Sequence, residues 1–178
     1  MPIFIETERL YIRELEEKDV PGLFEMDSDP EVHKYVGRKP INTIEQAAEV
    51  IRIIRQQYTD YKIGRWAIIE KSTHEFVGWT GFKFMKGPIN NHSDFYDFGY
   101  RLAGRFWGNG YASESAVAAL KYGVEVLQLK GIYAMTDIDN KASRRILEKL
   151  GLKYIETFNY DADPNWRTPG EPTTWYKL

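Results

Sequence analysis

The chain has 178 residues, with 24 lysines and arginines against 26 aspartates and glutamates, a formal charge of −2. That length suits one domain, residues 1–178, with room for a sizeable core, since single cores stop growing near ~250 residues. The absence of cysteine excludes disulfides, thiolate nucleophiles, cysteine-ligated zinc and iron–sulfur clusters. The near-neutral balance excludes a non-specific nucleic-acid binder, which needs a basic surface. No apolar stretch approaches the ~18 residues of a membrane span, and Met1-Pro2-Ile3 opens no secretory signal. The expectation is a cytoplasmic protein that partners neither nucleic acid nor membrane.

In chain order, Arg9 to Arg13 alternates polar and apolar residues and reads as a strand. Asp19 reads as the N-cap of a short helix through Phe24, with Pro21 in its first turn. A turn of helix through Val32 and Tyr35 follows. Thr43 opens a longer helix in which Ala47, Val50, Ile51 and Ile54 recur at helical spacing. Trp66–Ile69 and Phe76–Phe82 flank the polar turn Lys71-Ser72-Thr73-His74 and read as an antiparallel hairpin. Phe95 to Leu102 is a further strand. Ala116, Leu120, Val124 and Leu127 then mark one face of a helix beginning at Tyr111. Gly131–Ile138 returns to β-rich sequence, and Asn140–Leu150 is a second amphipathic helix with Gly151 as its left-handed stop. Strands at Leu152–Phe158 and Thr173–Lys177 close the chain around an Asp- and Pro-rich loop, Asp161 to Pro172. Helices, an antiparallel meander, a β–α–β unit and a closing hairpin make a mixed α/β (α+β) sheet.

The stretch that carries chemistry runs from Tyr100 to Ala112. Gly104, Gly108 and Gly110 let backbone N–H groups converge on one point. The following helix aims its positive end at the same point, which suits a phosphate. No Gly-Lys-Ser/Thr follows, so this is not a Walker loop, and its spacing is not that of a dinucleotide fingerprint.

Four ordered motifs resemble the GNAT superfamily of acyl-CoA-dependent N-acetyltransferases, and within it the branch of ribosomal-protein N-terminal (alanine/serine) acetyltransferases. They are Thr7-Glu8-Arg9-Leu10-x-Ile12-Arg13; Asp97-Phe98-Gly99-Tyr100-Arg101-Leu102; Arg105-x-x-Gly108-x-Gly110; and Asn140-x-x-Ser143 with Leu147-Glu148-Lys149-Leu150-Gly151-Leu152. The resemblance implies a mostly antiparallel sheet of about seven strands, helices on both faces, and a V-shaped split between Asp97–Leu102 and Gly131–Ile138. It implies acetyl-CoA as co-substrate, with no metal, and a primary amine, either a protein N-terminus or a small-molecule amine, as acceptor. A homodimer is compatible with this branch.

The cofactor-binding residues so implied are Tyr100, Arg101, Leu102, Arg105, Trp107, Gly108, Asn109, Gly110, Tyr111, Ala112, Asn140 and Ser143. The pantetheine arm would lie along Tyr100–Leu102 as an added strand, with Gly99 marking a bulge. Asp97 is a candidate general base, with pairing to a neighbouring arginine as the competing reading. Ser143 is a candidate proton donor to the departing sulfur. Many superfamily members carry tyrosine four residues before the terminal glycine for that task, and this chain has Leu147 there. Asn140 and Asp139 compete as N-cap. Trp79, Phe84 and Tyr96 are candidates to line the acceptor pocket, against a core reading for aromatics in general. The loop with Asp161, Asp163, Trp166 and Glu171 could gate that pocket or be an ordinary solvated loop. His33, His74 and His92 stand apart, so no spacing suggests a metal. The expected activity is direct acetyl transfer in a ternary complex. The alternative from another class is a non-catalytic acyl-CoA-binding or sensing module, with Leu147 as its support.

Overall fold

A computed structural model describes residues 4–161 and 169–178. Its sheet contains eight strands: β1 (Phe4–Glu6), β2 (Leu10–Glu14), β3 (Arg65–Glu70), β4 (Phe76–Met85), β5 (Phe95–Leu102), β6 (Ile132–Asp137), β7 (Lys153–Tyr160) and β8 (Glu171–Lys177). They lie in the order β1-β2-β3-β4-β5-β6-β8-β7. Every neighbouring pair is antiparallel except β5–β6. The extra strand relative to the expected seven is β1, three residues whose Phe4 is 59% exposed and so gives no periodic signal.

The helices are α1 (Val20–Ser28), α2 (Ile44–Tyr61), α3 (Tyr111–Glu125) and α4 (Lys141–Lys149). Thr43 caps α2 as expected: its hydroxyl accepts the Gln46 amide, and the Gln46 side chain accepts the amide of Thr43, an arrangement worth about 1 kcal/mol. Asp19 does not cap α1. Its carboxylate is buried and takes both guanidinium nitrogens of Arg13 at 2.7 and 2.8 Å and the Glu16 amide at 2.8 Å. The ion pair outcompetes the cap because Arg13 on β2 reaches the same carboxylate. Asn140, not Asp139, caps α4, accepting the Ser143 amide at 3.1 Å.

Alternation along the strands sorts the core onto two faces. Leu23 and Met26 of α1 and Ala47, Ile51 and Ile54 of α2 pack with Ala67, Ile69 and Val77 on one side. Ala116, Ala119 and Leu120 of α3 and Leu147 of α4 pack with Trp66, Phe82 and Phe98 on the other. Each fully buried aliphatic or aromatic side chain contributes about 1.5–3 kcal/mol to this clamp. Helices thus cover both faces, as expected.

One departure from regularity matters for function. β5 and β6 pair only at Tyr96–Ile132 and Asp97–Tyr133, with the Tyr96 amide also donating to Gly131 O at 3.0 Å. Beyond that point the strands diverge, and the β6 side of β5 from Phe98 onward has no strand partner. By contrast β4–β5 stay in unbroken register from Gly78–Leu102 to Met85–Phe95, so Gly99 is not a bulge. Its missing side chain serves another purpose: a Cβ there would stand 3.3 Å from an Arg65 guanidinium nitrogen.

Candidate active site

The end of β5 leads through a 3-10 turn, Gly104–Phe106, into α3. Gly108 and Gly110 hold φ of 78° and 80°, left-handed values that an L side chain adopts only with strain. These two glycines turn the chain so that Gly110 becomes the N-cap of α3, and no side chain caps that end. The Glu114 amide closes the first helical turn on Gly110 O. The amides from Gly108 to Ser113 meet no acceptor among the described residues. A row of unsatisfied donors at the positive end of a 15-residue helix favours an anion. The loop is braced from outside. Trp107 Nε1 donates to Leu102 O at 2.9 Å, the Asn109 amide group to Phe106 O at 3.2 Å, and Arg9 to Asn109 O at 2.8 Å.

These donors border a cavity of about 440 Å³. Leu102, Trp107, Gly108, Gly110, Tyr111 and Ala112 form one wall. Asn140, Ala142, Ser143 and Ile146 of α4 form another, and Glu31 to Val36, between α1 and α2, supply further lining. Tyr100 and Arg101 border both this cavity and a smaller one of about 80 Å³ that reaches into the split toward Asp97, Trp79 and Met135. The cavity beside the α3 N-terminus and the narrower one between the splayed strands thus adjoin, sharing Val36, Tyr100, Arg101, Asn140 and Ser143 in their walls.

At the closed end of the channel charge is buried but paired. Asp97 is 3% exposed, and its carboxylate forms an ion pair with the 5%-exposed Arg65. Arg65 also donates to Gly81 O at 2.6 Å and Asp97 O at 2.9 Å, tying β3, β4 and β5 together. Burial pulls this guanidinium below its ordinary pKa, with the Asp97 charge opposing. The Trp79 ring has the Arg65 guanidinium 4.9 Å and the Arg101 guanidinium 5.2 Å from its centroid. Arg101 pairs with buried Asp27 at 2.8 Å, and His33 lies 3.6 Å from the same carboxylate. Burial pushes the Asp27 carboxyl up, but Arg101 and His33 outweigh it, leaving its pKa below the ordinary value.

Across the split, the Tyr100 hydroxyl donates to Ser143 O at 3.0 Å and lies 3.1 Å from Ser143 Oγ. Burial raises the Tyr100 pKa, so the phenol keeps its proton well beyond neutral pH. Leu147 is 2% exposed and forms part of the channel wall, an apolar residue with no proton to give.

The structure brings together most of the expected site: Trp79, Asp97, Tyr100, Arg101, Leu102, Trp107, Gly108, Gly110, Tyr111, Ala112, Asn140 and Ser143 all border one cavity or the other. Asn109 acts behind the loop through its own hydrogen bonds. Arg105 faces elsewhere, held by Glu25 at 2.7 Å and Glu75 at 3.1 Å. Phe84 and Tyr96 border neither cavity. They pack on each other 5.3 Å apart, with Tyr61 on Phe84, at the closed end of the sheet. Of the expected gate, Asp163 and Trp166 lie outside the described residues, and Glu171 begins β8. Sequence reasoning missed Arg65 and the Glu31–Val36 segment. A charged residue opening the apolar run Trp66-Ala67-Ile68-Ile69 was a usable sign of Arg65; the loop segment had none. No group of acidic, histidine or cysteine side chains among the described residues is arranged to hold a metal, and none of their helices is long and apolar enough to cross a membrane.

A split sheet opening onto an uncapped helix N-terminus is the arrangement expected of an acyl-CoA-dependent transferase. A family model described as an acetyltransferase (GNAT) domain matches residues 9–153. The uncharacterized N-acetyltransferase YoaA of Bacillus subtilis (strain 168) is 33% identical over 149 residues, 84% of this chain and 82% of its own length. A GNAT-family acetyltransferase from Bacillus anthracis superposes with a TM-score of 0.79 at 27% identity, covering 99% of this chain and 98% of that one. A ribosomal L7/L12 alpha-N-protein acetyltransferase solved in complex with coenzyme A gives 0.81 at 17% identity, over 99% and 97% of the two chains, a likeness of fold. The chain belongs to the GNAT family of acetyltransferases, enzymes that draw their acetyl group from acetyl-CoA.

Proposed function

We propose that residues 1–178 form one cytoplasmic acyl-CoA N-acyltransferase domain that moves acetyl from acetyl-CoA to a primary amine by direct attack. The observation carrying this reading is that the cavity at the uncapped α3 N-terminus adjoins the one between β5 and β6, with Tyr100, Arg101, Asn140 and Ser143 lining both. The diphosphate would take the amides of Gly108 to Ser113. The pantetheine arm would run along Tyr100–Leu102, where β5 lacks a strand partner. The thioester would then lie beside Phe98 and Gly99, where backbone N–H groups can polarise its carbonyl. The amine nitrogen bonds to the carbonyl carbon, an oxyanion forms, and the carbon–sulfur bond breaks as the oxyanion collapses. Most of the rate gain comes from holding two reactants in line, because a thioester is already activated.

Two proton movements complete the reaction. The leaving thiolate accepts a hydrogen bond from Ser143 Oγ, which is held within reach of the Tyr100 hydroxyl, and takes up through channel water the proton that the amine sheds. That pair supplies from β5 and α4 what Leu147 cannot. We assign Asp97 to positioning rather than to taking the amine's proton, because its carboxylate already holds the Arg65 guanidinium; water in the channel carries that proton away.

The test is coenzyme A release from acetyl-CoA across a panel of amines, including peptides with free N-termini, alongside calorimetric binding of coenzyme A. Micromolar binding with release for at least one amine class is expected. Binding without release for any amine would favour the acyl-CoA sensing module, and no binding would remove the site.

A further inference from the structure

The cradle offers backbone dipoles but little charge, while coenzyme A carries a diphosphate and a 3′-phosphate. The cations expected to answer that charge are occupied. Arg105, the basic residue of the glycine loop, is bound by Glu25 and Glu75. Arg9, close to Gly110, is bound by Glu114 at 2.7 Å. Arg101 borders the cavity but is paired with Asp27. The remaining basic residue lining the 440 Å³ cavity is Lys34, in the 3-10 turn Val32–Tyr35. Its ammonium has no carboxylate or hydrogen-bond acceptor among the described residues; its one recorded neighbour is the Tyr35 ring, 5.4 Å away. Glu31, the carboxylate on the same lining, forms no ion pair with it.

We infer that Lys34 binds a phosphate group of the acyl-CoA, adding a charge to the same cavity that the α3 amides border. This rests on the proposed binding of acetyl-CoA in that cavity. A lysine tip on a four-carbon stem can swing onto a phosphate without moving the backbone, and it acts there as a point charge. The inference gives the segment between α1 and α2 a direct part in donor recognition. It also explains how the family's basic loop position can be spent on Glu25 and Glu75 without loss of the cofactor.

The experiment measures the affinity of coenzyme A, dephospho-coenzyme A and pantetheine for the wild-type protein and for Lys34→Ala, Lys34→Arg and Lys62→Ala. Lys62 lies at the far end of α2 and controls for net charge. Lys34→Ala should weaken coenzyme A binding about 10-fold at low salt, with the difference shrinking as salt is raised. Lys34→Arg and Lys62→Ala should bind like wild type, and pantetheine should not distinguish the variants. An equal loss for coenzyme A and dephospho-coenzyme A places Lys34 on the diphosphate; a loss for coenzyme A alone places it on the 3′-phosphate. Unchanged affinity in Lys34→Ala, or an equal loss for pantetheine, overturns the inference while leaving the cavity's function intact. Failure of the wild-type protein to bind coenzyme A overturns both.

Discussion

The two ends of the split treat polarity in opposite ways. At the closed end, Arg65 and Asp97 are buried against each other, and Arg101 with Asp27 repeats the pattern one step outward. At the open end, six successive amides and a helix dipole are left without partners among the described residues. Unsatisfied polarity costs free energy, so it persists where a ligand or water supplies the missing partner. Satisfied polarity needs no ligand and instead fixes geometry. The contrast separates scaffold from binding site within one strand, since β5 contributes to both ends. It also shows why Asp97, the acidic residue most visible in the sequence, holds the strands together.

The largest effect should come from breaking the closed end. Arg65→Met or Asp97→Leu alone strands a charge in the core and should cost about 3–5 kcal/mol. The double variant removes both charges, and most of that loss should return. Thermal melts of the three variants check this. At about 2–4 °C per kcal/mol for a chain of this size, each single variant should melt about 6–20 °C below wild type. Single variants as stable as wild type would show that the ion pair is not the scaffold described here.

The next effect belongs to the open end. Gly108→Glu or Gly110→Glu places a carboxylate where the phosphate would sit and forces an L residue into left-handed backbone. The strain amounts to about 1–2 kcal/mol and leaves the fold standing. The like charge should weaken coenzyme A binding about 100-fold or more, close to 2.7 kcal/mol. Isothermal titration with a parallel melt distinguishes lost binding from lost fold, and retained affinity would remove the cradle from the site.

How much of this was legible in the sequence follows the same division. The open end was readable because its chemistry is local: Gly108, Gly110 and the start of α3 are neighbours in the chain, and a turn followed by a helix implies convergent amides wherever it occurs. The amphipathic stripes of α2 and α4 and the Thr43 cap were legible for the same reason. The closed end was not, because Arg65 and Asp97 meet only after β3, β4 and β5 align. Nothing near Asp97 in the chain shows that Gly99 leaves room for a guanidinium. Phe84 and Tyr96 were drawn toward the acceptor pocket by their strands; register places them opposite each other at the far end of the hairpin. Asp19 follows a sound capping rule but loses that role to Arg13, a partner on β2. β1 was too short and too exposed to leave a pattern.

The smallest of these effects falls between the two ends, at the hydroxyl pair bridging β5 and α4. Tyr100→Phe removes one oxygen from a chain of two and leaves packing nearly unchanged, because the ring stays in place. Ser143→Ala removes the atom nearest the departing sulfur in the proposed geometry. Each should lower kcat about 10-fold, less than the ~100-fold or more of a full general acid, with coenzyme A affinity within about 2-fold of wild type. Burial holds the Tyr100 phenol above its ordinary pKa. The wild-type profile should therefore show no alkaline limb from this residue, and Tyr100→Phe should lower the rate evenly across the neutral range. Steady-state kinetics against pH decide the matter. A loss confined to KM would place the pair with the binding site at the mouth. Loss of melting temperature without loss of kcat would place it with the scaffold at the apex.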